Sequence, residues 1–347
     1  MTGAASRNEP PAHTHNWAAL TAEAADEVNQ TFGRRLMSLP GTWIGQLSTE
    51  APAAPRRPWS EWHYWWQAHY LDALIDTAYL SLARGDRITA RTELRRGRAL
   101  LFGIMIRNFG LFPNYFYDDM AWLALAAGRL NGLSIRLEAR PSRLALHAVR
   151  TLTRHLHGAH DEVLGGGIYW SRKRDFKNTP ANAPAALVFA RSGAQETAAA
   201  VADWLRRELF DPEIGLYLDG IHPSATGRDV EGTIYTYNQG PILAALLELG
   251  RPQDLDHAAA LIATISERLS TPGRGLRLEP GGDGSLFTGI LCRYLALAAR
   301  DPRLSALSRD TASNLVRDTA AQLASHHPTQ LSAAVQRWTV FAAAASL

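Results

Sequence analysis

Several things are scarce in this 347-residue chain, and each scarcity excludes something. It has a single cysteine, Cys292, which rules out an internal disulfide framework and any cysteine-built zinc cluster. Cys292 lies in the apolar run "FTGILCRYLALAA" and reads as a small buried hydrophobe. No stretch of 18 apolar residues occurs, so no membrane-spanning helix is expected. The opening "MTGAASRNEPPAHTHNWAAL" lacks a basic segment followed by an apolar one, so as written it predicts a cytoplasmic protein. The same chain with a leader removed would instead be secreted. The formal charge is only +3, and its arginines are scattered rather than blocked, so a nucleic-acid partner is not expected. Period-two alternation, the mark of half-buried strands, is almost absent.

What is present is helical periodicity. Twelve helices are predicted near 16–37, 59–84, 87–108, 118–132, 137–156, 179–192, 194–210, 234–249, 254–270, 284–300, 303–325 and 329–345. Gly/Pro/Asp turns such as "ARGDR", "GLFPN" and "LGRPQD" separate them. The Pro/Ala-rich stretch 47–58 is short enough for a surface loop, and no linker divides the chain. One domain over 1–347 is therefore expected, with residues 1–15 as a flexible tail. The even-numbered helices are apolar almost all round, as in "WWQAHYLDALIDTAYLSLA" and "QGPILAALLEL", and such helices belong inside. The odd-numbered ones are amphipathic and charged, as in "RITARTELRRGRALLFGI". An all-α (α/α)6 barrel follows, six helical hairpins closed in a ring with the even helices inside. The alternative, an open solenoid, would call for a repeat of fixed period, and none is visible.

The unusual side chains recur where the inner helices begin: "WSEWHYWWQAH", "YFYDDMAW", "KNTPANAP", "EGTIYTYNQG" and "GGDGSLFTG". In a closed ring all inner helices start at one end, so five distant segments would line one cavity. Helix capping explains Asp, Asn, Ser and Thr at such positions. It does not explain the accompanying Trp, Tyr and Gln, whereas polar groups converging in an aromatic cleft are what a ligand site needs.

Asp118 and Asp119 stand side by side in "NYFYDDMAWLALA". Two carboxylates in one cleft are the minimum for glycoside hydrolysis. Neighbours on a helix diverge by about 100°, but at a helix start the first can still lie off the helical path. Adjacency suits the short carboxyl separation of retaining chemistry better than the wider one of inverting chemistry. Glu231 is a rival third carboxylate. His63 and His69 leave open a sugar epimerase or isomerase, and a non-catalytic sugar-binding protein is a third possibility. "HGAHDEV" offers His157, His160 and Asp161, but residues near a helix end at that spacing are more often solvated than metal-bound. The "LGGGIYW" turn is expected to present Tyr169 and Trp170, and "GGDGS" a turn into the tenth helix.

Between residues 65 and 300 the chain resembles glycoside hydrolase family 76, the endo-α-1,6-mannanase family. The resemblance rests on "WWQAHYLDALIDTA", "YDDMAWLALA", "KNTPANAPAALVFAR", "YTYNQGPILAALLEL" and "FTGILCRYLALAA", in family order. It implies an (α/α)6 barrel and retaining cleavage of internal α-1,6-mannosidic bonds, with Asp118 as nucleophile and Asp119 as general acid/base. Transglycosylation of mannose-containing glycans is the variant of that chemistry. The resemblance also implies sugar contacts from Trp65, Trp66, His69, Tyr117, Asn178, Asn182, Tyr237, Asn238, Gln239 and Phe287. The partner would be α-1,6-mannan or a manno-oligosaccharide. No cofactor or metal and a monomeric state are expected. Pro180 is an extra proline relative to the family pattern.

Overall fold

The computed structural model describes residues 15–49, 62–224 and 227–347. All but the last residue of the expected tail and most of the 47–58 loop lie outside them. Twelve helices are described: α1 (Trp17–Thr31), α2 (Tyr64–Ala83), α3 (Arg87–Arg107), α4 (Tyr117–Glu138), α5 (Arg143–His157), α6 (Thr179–Arg191), α7 (Gln195–Glu208), α8 (Thr236–Leu249), α9 (Pro252–Arg268), α10 (Gly284–Ala299), α11 (Ala306–Leu323) and α12 (Leu331–Ala345).

The even helices form a closed inner ring in which α2, α4, α6, α8, α10 and α12 each pack on the next, and α12 returns to α2. Each odd helix lies outside: α3 on α2, α5 on α4, α7 on α6, α9 on α8, α11 on α10. The first helix, α1, covers the last, α12. The ring is thus sealed by joining the two ends of the chain, and Trp338 of α12 donates its indole N–H to Thr77 of α2 at 2.8 Å across that seam. Small residues let the inner helices approach. A Cβ on Gly240 would come within 2.9 Å of Tyr294, which keeps α8 tight against α10. Pro180 falls in the first turn of α6, where a missing N–H costs nothing.

Two features depart from the sequence expectation. Helix α4 runs unbroken through Asn131 and Gly132 to Glu138, because tertiary packing overrides the turn preference of that pair. A β-hairpin, Gly220–Ser224 against Gly227–Glu231, joins Lys177–Asn178 in a small antiparallel sheet. Its short strands carry Gly, Pro and charged residues and so no alternation to read. No helix among the described residues is long and apolar enough to cross a membrane.

Below the middle of the ring sits a buried charged knot. Arg129 of α4 pairs with Asp72 (2.5 Å) and Asp76 of α2. Arg293 of α10 pairs with Asp76 at 2.7 Å and reaches Thr339 of α12 at 3.3 Å. Four of the six inner helices meet there. Removing one member of such a knot leaves a buried charge without a partner. Asp76→Ala, which takes the nearest carboxylate from Arg293 and leaves both arginines to share Asp72, is expected to destabilise the fold by about 3 kcal/mol, read as a lower denaturation midpoint in urea.

Candidate active site

All six inner helices begin at one end of the barrel, and a cleft of about 690 Å³ opens there. Its wall carries Asp118 and Asp119 from α4, Trp65 from the start of α2, Asn178 before α6, Tyr237 from α8, and Asp283 and Phe287 at α10. Five sequence segments separated by up to about two hundred residues therefore share one cavity.

Asp118 and Asp119 occupy the first turn of α4 and both face the cleft. Their surroundings differ. Asp118 accepts two N–H bonds, from the Asp119 backbone and from the Trp170 indole, each at 2.9 Å. Asp119 is more deeply buried and takes the side-chain amide of Asn114. Burial is the larger influence on both and raises both carboxyls. In Asp118 the two N–H donors oppose it, and the group settles at about 7. Asp119 is pushed well above the carboxylate range, because the charges of Asp118 and Asp283 add to burial. Asp119 therefore holds its proton while Asp118 can give its proton up.

The aromatic residues build a platform. Tyr237 and Phe287 stack face to face, centroids 3.8 Å apart and planes 8° from parallel. Trp170 leans on Phe116 at 4.8 Å. Trp170 reaches the cleft because the preceding glycines turn the chain tightly past Trp204: Gly167 has φ +79°, and a Cβ there would strike the Trp204 ring at 2.7 Å. His63, at the start of α2, holds a left-handed φ of +40°, lines the cleft and stacks on Trp66 at 4.4 Å.

Of the ten expected sugar-contacting residues, Trp65, Asn178, Tyr237 and Phe287 line the cleft, and six lie behind its wall. Asn182 is fully buried and spends its amide on the backbone, accepting from Ile168 N–H (2.6 Å) and donating to Ile168 and Asn178 carbonyls (2.8 Å each). Gln239 does the same for Tyr217 and Tyr235. Asn238 is buried and donates to Asp219 at 3.3 Å. Trp66 is buried and donates its indole N–H to Asp283 at 2.7 Å. Tyr117 is buried, and its backbone N–H ties α4 to the Trp170 carbonyl at 2.7 Å. His69 is enclosed between Trp65 and Trp122, both ring nitrogens lie without a hydrogen-bond partner, and burial drives its pKa well down. These six support the cleft from within the protein.

Three cleft carboxylates, Asp175, Asp219 and Asp283, were not among the expected site residues. Asp219 lies beside the hairpin, and burial lifts it to about 6. Asp283 stands at the head of α10 and accepts both Trp65 (3.2 Å) and Trp66 (2.7 Å) indoles. The "GGDGS" turn carried a signal for Asp283, since it opens an inner helix; nothing marked Asp219. Glu231 reaches the rim, where it pairs with His222 at 2.8 Å. Asp161 pairs with the buried Lys177 at 2.7 Å, and among the described residues no three His, Cys, Asp or Glu side chains gather as a metal site.

A family model, glycosyl hydrolase family 76, matches residues 23–340. The chain belongs to that family. It is a glycoside hydrolase with the family's helical barrel. Among solved structures it is similar to the α-1,6-mannanase of Salegentibacter sp. HEL1_6, at 26% identity and a TM-score of 0.81, covering 95% of this chain and 99% of that one. One form of that enzyme is an inactive variant with two adjacent aspartates replaced, in complex with α-1,6-mannotriose. The Lin0763 protein of Listeria innocua (23% identity, TM-score 0.79, 95% and 97% covered) and Dfg5 of Chaetomium thermophilum (17%, 0.70, 95% and 89%) share the fold. No curated protein matches the chain.

The raised carboxyl of Asp118 has a cost in stability. An aspartate in an unfolded chain ionises near pH ~4, and Asp118 in the fold near 7. Between those values the folded state holds the extra proton, so stability falls as pH rises through the window and stays reduced above it. Asp118→Asn removes that loss. Its melting temperature at pH 8 is expected to exceed that of the unsubstituted protein by roughly 2–4 °C, with the gain disappearing near pH 4. An equal or lower value at pH 8 would contradict the assignment.

Proposed function

We propose that this glycoside hydrolase cleaves internal α-1,6-mannosidic bonds with retention, using Asp118 as nucleophile and Asp119 as general acid/base. The observation that carries the proposal is the asymmetry of the pair. Two N–H donors favour the anion of Asp118, while burial and neighbouring negative charge keep the proton on Asp119. Those are the charge states that retaining chemistry requires.

The steps follow from those states. An Asp118 oxygen attacks the anomeric carbon as the glycosidic C–O bond breaks, and Asp119 passes its proton to the departing oxygen. A glycosyl ester on Asp118 results. Asp119, now ionised, takes a proton from water, the water oxygen attacks the same carbon, and the ester bond to Asp118 breaks. Two displacements restore the starting configuration, and both side chains return to their first protonation states.

The substrate class is supported by charge and by likeness. The cleft wall presents six carboxylates, two histidines and no Lys or Arg among the described residues, which suits a neutral polyol and repels anionic sugars. The stacked Tyr237–Phe287 pair and the tryptophans offer flat apolar faces for sugar rings. The Salegentibacter enzyme, with its adjacent aspartates replaced, holds α-1,6-mannotriose. An epimerase using His63 and His69 as acid and base is disfavoured, because His69 lies behind Trp65 and Trp122 rather than in the cleft.

The test is incubation with linear α-1,6-mannan, following product length and the anomer released first. Shortened chains with the α-anomer appearing first are expected, and loss of at least about a thousandfold in rate for Asp118→Asn and for Asp119→Asn. The β-anomer first would exclude the nucleophile; products longer than the substrate would mark transglycosylation. The pH profile gives a second check. kcat/KM should rise with pH around 7 as Asp118 ionises and fall at higher pH as Asp119 loses its proton. Trp170→Phe removes a donor to the Asp118 anion, so the acid limb should move to higher pH.

A further inference from the structure

The barrel has a second cavity towards its other end, lined by residues of all six inner helices and, at about 760 Å³, no smaller than the cleft. None of the catalytic chemistry above uses it. Its walls are largely small and apolar, with alanines of α2, α4, α10 and α12 joined by Leu80, Leu125, Val188 and Leu297. Its charges are unlike those of the cleft. Five arginines line it against three carboxylates, Asp72, Asp76 and Glu248.

Those carboxylates are already engaged. Asp72 and Asp76 are held by Arg129 and Arg293 in the buried knot, and Glu248 pairs with Arg191 at 2.9 Å. Arg136 and Arg300 are left, and among the described residues neither has a carboxylate partner. Both are exposed at the cavity rim. Arg136 lies over the Tyr79 ring, 6.0 Å from its centroid. Arg300 gives its Nε to the Ala296 carbonyl at 2.9 Å, which leaves the rest of its donor fork free. Burial presses the Arg300 pKa down, with the charge of Asp76 opposing it and that of Arg129 adding to it. Cations at helix C-termini are favoured by the helix dipoles. That accounts for arginines at this end, but not for an apolar chamber of ligand size beneath them.

We propose that this second cavity binds an amphiphilic anion, a carboxylate or phosphate carried on a short apolar body. The headgroup would sit between Arg136 and Arg300 at the rim and the apolar body against the alanine-lined walls. Guanidinium groups suit such headgroups through paired N–H bonds. The site is separate from the cleft, and its occupation does not depend on which sugar the cleft accepts.

The test is calorimetric titration of the full chain with three probes below their micellar concentrations: octyl phosphate, inorganic phosphate and octyl glucoside. One-to-one binding of octyl phosphate is expected, at least tenfold tighter than either of the others. The double variant Arg136→Gln/Arg300→Gln should weaken it at least tenfold while its glycosidase rate and circular dichroism stay unchanged. Arg300→Gln alone provides the same reading if the double variant folds poorly. Absence of octyl phosphate binding, or equal binding by inorganic phosphate or octyl glucoside, would overturn the proposal. So would octyl phosphate binding that both variants leave intact.

Discussion

Everything in this protein depends on six inner helices running in the same direction. A chain that alternates inner and outer helices around a closed ring has no other choice. The consequence is electrical as well as geometric. Six N-termini, each with a partial positive charge, meet at one end, and six C-termini, partially negative, meet at the other. Acidic side chains are gathered at the first end and arginines at the second. A formal charge of +3 for the whole chain conceals this separation.

The cleft exploits that field against an opposing force. Helix starts favour ionised carboxylates, and burial disfavours them. Asp118 and Asp119 sit one residue apart in the same first turn, so the helix field cannot distinguish them. What separates them is local: the Trp170 indole and a backbone N–H for Asp118, against Asn114 and the charge of Asp283 for Asp119. Trp170 depends in turn on the glycine turn past Trp204, and Asp283 is held by the two tryptophans of α2. The electrostatic difference between two adjacent, identical residues is thus set in large part by segments that precede and follow them by more than fifty positions.

The barrel and the polarity of its ends were legible because apolar periodicity marks buried helices and parity in a closed ring fixes their direction. The location of the cleft followed from that alone. Which side chains enter it did not. Successive helical residues diverge by about 100°, so "YNQG" cannot send Tyr237, Asn238 and Gln239 into one cavity. Tyr237 enters, Asn238 holds Asp219, and Gln239 serves the loop at Tyr217. Asn182 is turned to the backbone of the glycine loop for the same reason. Asp118 and Asp119 both border the cleft although the helix opens one residue earlier, at Tyr117, so the first of them does not lie off the helical path, contrary to the sequence expectation. Asp219 belongs to the connection into a hairpin whose strands carry no alternation, so its place in the cleft is set by tertiary pairing that no local pattern encodes.

The buried layer between the two ends explains how one barrel can hold opposite potentials a few helical turns apart. His69, neutral and enclosed by Trp65 and Trp122, lies beneath the cleft, and the Arg129–Asp72–Asp76–Arg293 knot lies below it. The knot brings together two cations and two anions, so it closes the barrel's centre without carrying net charge upward to the aspartates. An unpaired arginine at that depth would favour the ionised form of both cleft carboxyls and deprive Asp119 of its proton. Pairing within the knot therefore bears on the protonation of the cleft carboxyls, and the packing of α2, α4 and α10 shapes the charge of the cleft as the residues that line it do.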